Sequence, residues 1–177
     1  MEQETPFDPV NPVADKYRYA ATYGLYLGLY LAVFYLLGVI FPDFGLARTV
    51  SSLGHFFGLV VAWMFVKKYR DEICGGYARF SWLWNFSFWL AVFAALIMAA
   101  VQFIHFQWLQ PDYLNDSFNQ TLSLLQSANC PEEQLDQLAG LSMPSAIEAT
   151  FICLWCEIIG GAFLAFFYAL FLHRRKR

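Results

Sequence analysis

Charge is scarce in this sequence. Asp, Glu, Lys and Arg make up 14% of its 177 residues, against about 25% in soluble domains. A water-facing surface cannot be built with so little charge, which excludes an ordinary soluble domain. Positive charge is missing altogether from Gln110–Ala146, which holds no Lys or Arg. Cysteine is sparse as well. Cys74, Cys130, Cys153 and Cys156 do not read as a disulfide framework, because the topology derived below puts Cys74 in the cytoplasm, Cys130 outside and the other two inside a membrane helix. No phosphate-cradling glycine loop, nucleophile elbow or paired-carboxylate arrangement occurs, so the residues point to no enzyme and require no metal or organic cofactor. The net charge of −3 and isoelectric point near 5.5 argue against a nucleic-acid partner.

What is abundant is hydrocarbon. Hydrophobic residues reach 59% and aromatics 20%, and the mean hydropathy is +0.44. A membrane span needs roughly 20 mostly apolar residues, and in hydrocarbon every backbone amide must bond within its own segment, so such runs are helices. Four runs qualify: Tyr19–Phe41, Val50–Val66, Phe80–Leu109 and Ile147–Leu172. The expected fold is all-α, a four-transmembrane-helix bundle. An acidic leader, residues 1–18, precedes the first run, which is too long for a signal-peptide core.

Orientation follows from the basic residues. Lys16 and Arg18 precede the first span. Lys67, Lys68, Arg70 and Arg79 lie in a basic loop, 67–79, between the second and third. Arg174, Arg175, Lys176 and Arg177 close a tail, 173–177. All of these fall on one side of the membrane and only Arg48 on the other. The positive-inside rule makes the crowded side cytoplasmic, so both termini are expected in the cytoplasm. Tyr17, Tyr19, Tyr69, Tyr77, Trp82 and Trp84 mark the inner interface, and Trp108 and Tyr113 the outer one. The loop 110–146 is then extracytoplasmic. Its Leu114, Phe118, Leu122 and Leu125 form one helical face, and Pro131 suits the first turn of a second short helix. These short amphipathic helices lie on the outer leaflet or fold over the bundle mouth as a hairpin.

Small residues indicate where helices meet. Gly24 and Gly28, then Gly54 and Gly58, have the spacing that lets backbones approach closely, and Gly160 with Gly161 sits in the last span. They pack the bundle internally or build a homo-oligomer. Ionisable groups at membrane depth are functional candidates by default. Glu157 lies roughly 15 Å into the last span, and His55 and His105 lie about a turn below the outer surface. They relay protons or bind a metal, or Glu157, protonated or hydrogen-bonded to a hydroxyl or histidine, ties helices together. Cys153, Cys156 and Glu157 share a helical face, the two cysteines serving as buried small hydrophobes or as a redox or metal motif. The basic loop and tail signal orientation, touch anionic lipid, or dock a soluble partner.

Tyr69-Arg70-Asp71 followed by Gly75-Gly76-Tyr77, Pro111-Asp112 opening a Glu/Gln-rich outer loop, and a last span closed by basic residues together carry a resemblance. The chain resembles a family of small four-span inner-membrane proteins of the Bacteroidota, domain of unknown function 4199. The resemblance covers nearly the whole chain after Lys16. It implies a neighbouring polyprenol-phosphate sugar transferase, hence a cytoplasmic glycosyltransferase as partner. The richness in Trp and Phe and the Cys153–Glu157 segment depart from the family pattern. Three functions follow: an accessory or scaffold protein anchoring that enzyme, a small oligomeric transporter or channel using Glu157 and the histidines, and a lipid-modifying enzyme. The topology predicts that Cys130 reacts with a membrane-impermeant maleimide in intact cells, whereas an Arg177→Cys variant gains its extra label only after permeabilisation.

Overall fold

The structure is a computed structural model describing residues 12–128, 130, 131, 133, 135, 138, 140 and 143–174. The helices are α1 (Pro12–Ile40), α2 (Gly45–Lys68), α3 (Phe80–Ile104), α4 (Tyr113–Ser127) and α5 (Ala146–Leu172). One-turn π-helices, Tyr69–Ile73 and His105–Leu109, continue α2 and α3. Among the described residues no strand forms, only a single bridge between Ala78 and Arg174. Four helical segments are long and apolar enough to cross a membrane: Asp15–Ile40, Gly45–Ile73, Phe80–Leu109 and Ala146–Leu172.

The helices outrun the apolar runs that announce them. α1 starts at Pro12, where proline's missing N–H costs nothing. α2 starts at Gly45 rather than Val50 and passes Lys67 and Lys68 into its π turn, so Lys67–Ile73 is helix rather than loop. Side-chain hydropathy marks the hydrocarbon layer, whereas the backbone ladder continues as long as each N–H finds its carbonyl. The true reversal is Cys74–Arg79. Gly75 and Gly76 take it at φ 64° and 84°, a left-handed conformation that strains any residue with a Cβ.

The chain divides into two compact units, Met1–Met98 with Cys156–Arg177, and Ala99–Trp155. In the first, α1, α2, α5 and α3 pack in cyclic order. Gly24 and Gly28 of α1 bring its backbone against Leu90, Phe93, Ala94 and Ile97 of α3. Gly54 and Gly58 of α2 admit Phe34 and Leu31 of α1, and the Tyr30 hydroxyl donates to the Gly54 carbonyl at 3.1 Å. α2 meets α5 where the Tyr168 hydroxyl donates to the Leu59 carbonyl at 2.9 Å and Trp63 meets Tyr168 edge-on. α3 meets α5 at Ala91 and Gly161. The outward faces, with Phe56, Phe57, Met64, Phe163 and Phe171 exposed, are apolar, as lipid contact requires.

In the second unit, Leu114, Phe118, Leu122 and Leu125 of α4 are half-buried while Asn115, Asp116, Asn119, Gln120 and Ser123 are exposed, so the helix is amphipathic. Of the second short helix, Glu133, Leu135 and Leu138 are helical and the Leu135 N–H donates to the Pro131 carbonyl at 3.2 Å; the rest lies outside the described residues. α5 opens on a capping box. The Ser145 N–H donates to Glu148 Oε2 at 2.8 Å, and the Glu148 N–H to Ser145 Oγ at 3.4 Å.

Two adjacent glycines on α5 have opposite surroundings. A Cβ on Gly161 would lie 2.6 Å from Ala91 Cβ, whereas one on Gly160 meets no atom within 4 Å. Gly160→Ala will therefore raise stability by about 0.5–1 kcal/mol through helix propensity, and Gly161→Ala will lower it by about 1–3 kcal/mol through overpacking. Thermal unfolding of both variants in the same detergent checks the difference.

Candidate functional site

Within the first unit the four helices enclose a cavity of about 310 Å³. α5 contributes Glu157, Gly160, Gly161, Leu164 and Tyr168, and α3 contributes Ser87, Leu90, Ala91, Ala94, Ala95 and Met98. His55, Gly58, Leu59 and Ala62 come from α2, and Leu27 and Leu31 from α1. Each set recurs at three- and four-residue steps, the repeat of one helical face. The void exists because small residues occupy the facing positions: Gly160 and Gly161 on α5, and Ala91, Ala94 and Ala95 on α3. It is partly open, and Gly160 and Leu59 among its lining residues are exposed on the flank of the unit.

The walls are almost wholly hydrocarbon, interrupted by four polar side chains, Glu157, His55, Ser87 and Tyr168. His55 Nδ1 lies 2.8 Å from the Ser51 carbonyl. A carbonyl only accepts, so Nδ1 carries a proton, and in the neutral imidazole Nε2 then keeps a lone pair. Tyr168 spends its proton on Leu59 and likewise retains an accepting oxygen. Ser87 is buried, and its Oγ has no hydrogen-bond partner among the described residues. Glu157 and His55 thus share one cavity. Ser87 and Tyr168 were not singled out from sequence, although Tyr168 lies eleven residues after Glu157, three turns along one face.

His105 has a different place. It belongs to the second unit and is 1% exposed. Its Nε2 is 3.0 Å from Gln110 Oε1, and its ring packs between Phe106 and Tyr113. It holds the π turn that leads into α4, and it does not line the cavity. Among the described residues no group of three His, Cys, Asp or Glu side chains could hold a metal ion. Cys156 is exposed on the α5 surface.

The basic end is more closed than its charge suggests. Arg70, expected as a docking residue, is 4% exposed. Its Nη1 donates to the Leu172 carbonyl at 3.1 Å, and Nε and Nη2 each lie 2.6 Å from Asp71 Oδ1. The π turn makes this possible by turning Tyr69 and Arg70 inward together. Tyr69 stacks on Phe86 at 3.7 Å and accepts the Trp82 indole N–H at 3.0 Å. The Gly76 N–H donates to the Arg70 carbonyl, and the Arg174 N–H to the Ala78 carbonyl. Lys16 is buried too, its ammonium 4.6 Å from the Trp82 ring centroid. Burial pushes the Cys74 thiol above its ordinary pKa, outweighing hydrogen bonds to Tyr69 and Trp82 that act the other way, so Cys74 stays protonated at neutral pH. Lys67, Lys68, Arg79 and Arg174 remain exposed, with Lys68 in a surface pair with Glu72 at 3.8 Å. Arg175, Lys176 and Arg177 lie outside the described residues.

These features define a multi-pass membrane protein with four long apolar helices and a largely apolar cavity between them. The chain belongs to the family described as Protein of unknown function (DUF4199), whose model matches residues 22–174. Neither the curated proteins nor the solved structures give a match.

Arg70→Met removes a buried charge and strands the Leu172 carbonyl, so it will cost about 2–3 kcal/mol. Arg70→Lys will not restore it, because an ammonium cannot span both partners as a planar fork does. Lys68→Met, which loses only an exposed pair, will stay within about 0.5 kcal/mol of the parent. Unfolding midpoints of the three variants check this ranking.

Proposed function

We propose that this chain is a membrane-embedded binding protein, a receptor or carrier, for a small molecule with a largely apolar body. One observation carries the reading: Glu157, His55, Ser87 and Tyr168 converge on one cavity whose remaining walls are hydrocarbon. That is the general form of a small-molecule site, apolar walls with a few placed polar groups. Polar groups in hydrocarbon are costly and mark binding or transfer sites. An empty, closed void of this size would cost about 7 kcal/mol at the usual cavity coefficient, comparable to the whole stability of a domain. Partial opening lowers that figure, and an occupant removes most of it.

The orientation belonging to this proposal puts the end bearing Lys67, Lys68, Arg79 and Arg174 in the cytoplasm and the 110–146 segment outside, in a bacterial inner membrane. Support comes from the distribution of Lys and Arg along the chain.

A second reading is the accessory protein that docks a cytoplasmic glycosyltransferase acting on polyprenyl phosphate. It draws support from the exposure of Lys67, Lys68, Arg79 and Arg174 and loses Arg70, which is spent inside the protein. A homo-oligomer built on the glycine faces loses support for a similar reason, because Gly24, Gly28, Gly54, Gly58 and Gly161 already abut neighbours within the chain.

Photolabelling with a short neutral alkyl diazirine in phosphatidylcholine nanodiscs tests the binding reading. Mass spectrometry should find adducts on the α3 segment Leu90–Met98 and on Leu164, besides those on lipid-facing residues such as Phe163. Gly160→Leu, which fills the void, should remove the interior adducts and leave those at Phe163. Interior labelling unchanged by Gly160→Leu, or absent from the parent protein, would sink the reading.

A further inference from the structure

A count of donors and acceptors around the cavity gives the ligand's chemistry, and this deepening rests on the binding reading above. Tyr168 has committed its only proton to the Leu59 carbonyl. His55 has committed the proton on Nδ1 to the Ser51 carbonyl, so in the neutral imidazole its remaining ring nitrogen is an acceptor. Glu157 brings two oxygens, which as a carboxylate accept only. Ser87, a residue 3% exposed, brings a hydroxyl that lacks a hydrogen-bond partner among the described residues. The lining is therefore rich in acceptors and poor in donors. Among the described residues no Lys or Arg lines it, and its one carboxyl group is Glu157. An anionic ligand would meet no cation there and would face a carboxylate, so a phosphate or a fatty acid is the wrong sign.

We infer that the cavity takes a primary alkylammonium ion, its head group among Glu157, His55, Ser87 and Tyr168 and its chain along Leu27, Leu31, Leu90 and Leu164. An ammonium carries three donors and no acceptor, the complement of this lining. Its hydrogen bonds to a carboxylate are charge-assisted and stronger than neutral ones. The volume of about 310 Å³ holds about ten methylene-sized groups, which suits a medium-length chain rather than a full lipid tail.

The test is competition against the alkyl diazirine in phosphatidylcholine nanodiscs by four eight-carbon compounds: octylamine, octyltrimethylammonium, octanol and octanoate. Octylamine should displace the interior label at about tenfold lower membrane mole fraction than octanol, and octanoate should be the weakest. Octyltrimethylammonium, with charge but no N–H, should fall short of octylamine. Glu157→Gln should keep the interior label and erase the advantage of octylamine over octanol. Ser87→Ala, a milder change at a separate position, should narrow that advantage severalfold without touching the fold. Equal displacement by octanol and octylamine in the parent protein overturns the ammonium assignment alone, as does an advantage that survives both substitutions. Absence of interior labelling would instead bring down the binding reading beneath it.

Discussion

A buried guanidinium holds the helix ends in register. The last carbonyls of a helix have no partner in their own ladder, and away from water that deficit is costly. Arg70 meets it for Leu172, across 102 residues of sequence, and so ties the end of α2 to the end of α5. It reaches inward because the backbone widens into a π turn at Tyr69–Ile73 and then reverses through Gly75 and Gly76. The same turn lays Tyr69 flat against Phe86 of α3, while Lys16 of α1 sits over Trp82. All four helices are thereby fastened at one end by contacts involving aromatic rings or charge.

With the ends fastened, small residues decide how closely the helices approach along their length. Glycine faces draw α1 onto α2 and α3, and Gly161 draws α5 onto Ala91. One residue away, Gly160 meets nothing, and there the bundle opens into the cavity. Glycine thus supports close contact in one place and space in another, depending on what the partner helix presents. Where α3 offers alanine at successive turns, closeness on one side leaves room on the other. α3 is also the most enclosed of the spans, with 39% of its apolar window buried against 11% for α5.

The four helices could be read from the sequence because lipid imposes a coarse constraint, long uninterrupted hydrocarbon. Their ends were less legible. Lys67–Ile73 is helical despite its charge, since the ladder of amides does not depend on hydropathy. The fate of Arg70 was hidden for a related reason. Among neighbouring basic residues composition is the same, and only the π turn separates the buried Arg70 from the exposed Lys67 and Lys68. Depth along a span was readable by counting residues, which is how Glu157, His55 and His105 were found. The direction a side chain faces around its helix was not, so His105, committed to Gln110 and Tyr113, could not be told from His55. Two signals were legible and unused: the Ser145–Glu148 capping box, and the stripe from Glu157 through Gly161 and Leu164 to Tyr168.

The cavity's exposed lining residues, Gly160 and Leu59, lie on an apolar flank. An opening on such a surface faces acyl chains rather than solvent. On the binding proposal, a ligand entering there is first dissolved in the bilayer, so occupancy would track the solute-to-lipid ratio and not the aqueous concentration. Two molecules with the same fit to the cavity will then saturate it at aqueous doses that differ by the ratio of their partition coefficients. Adding more lipid at a fixed total dose will empty it without any change in the protein.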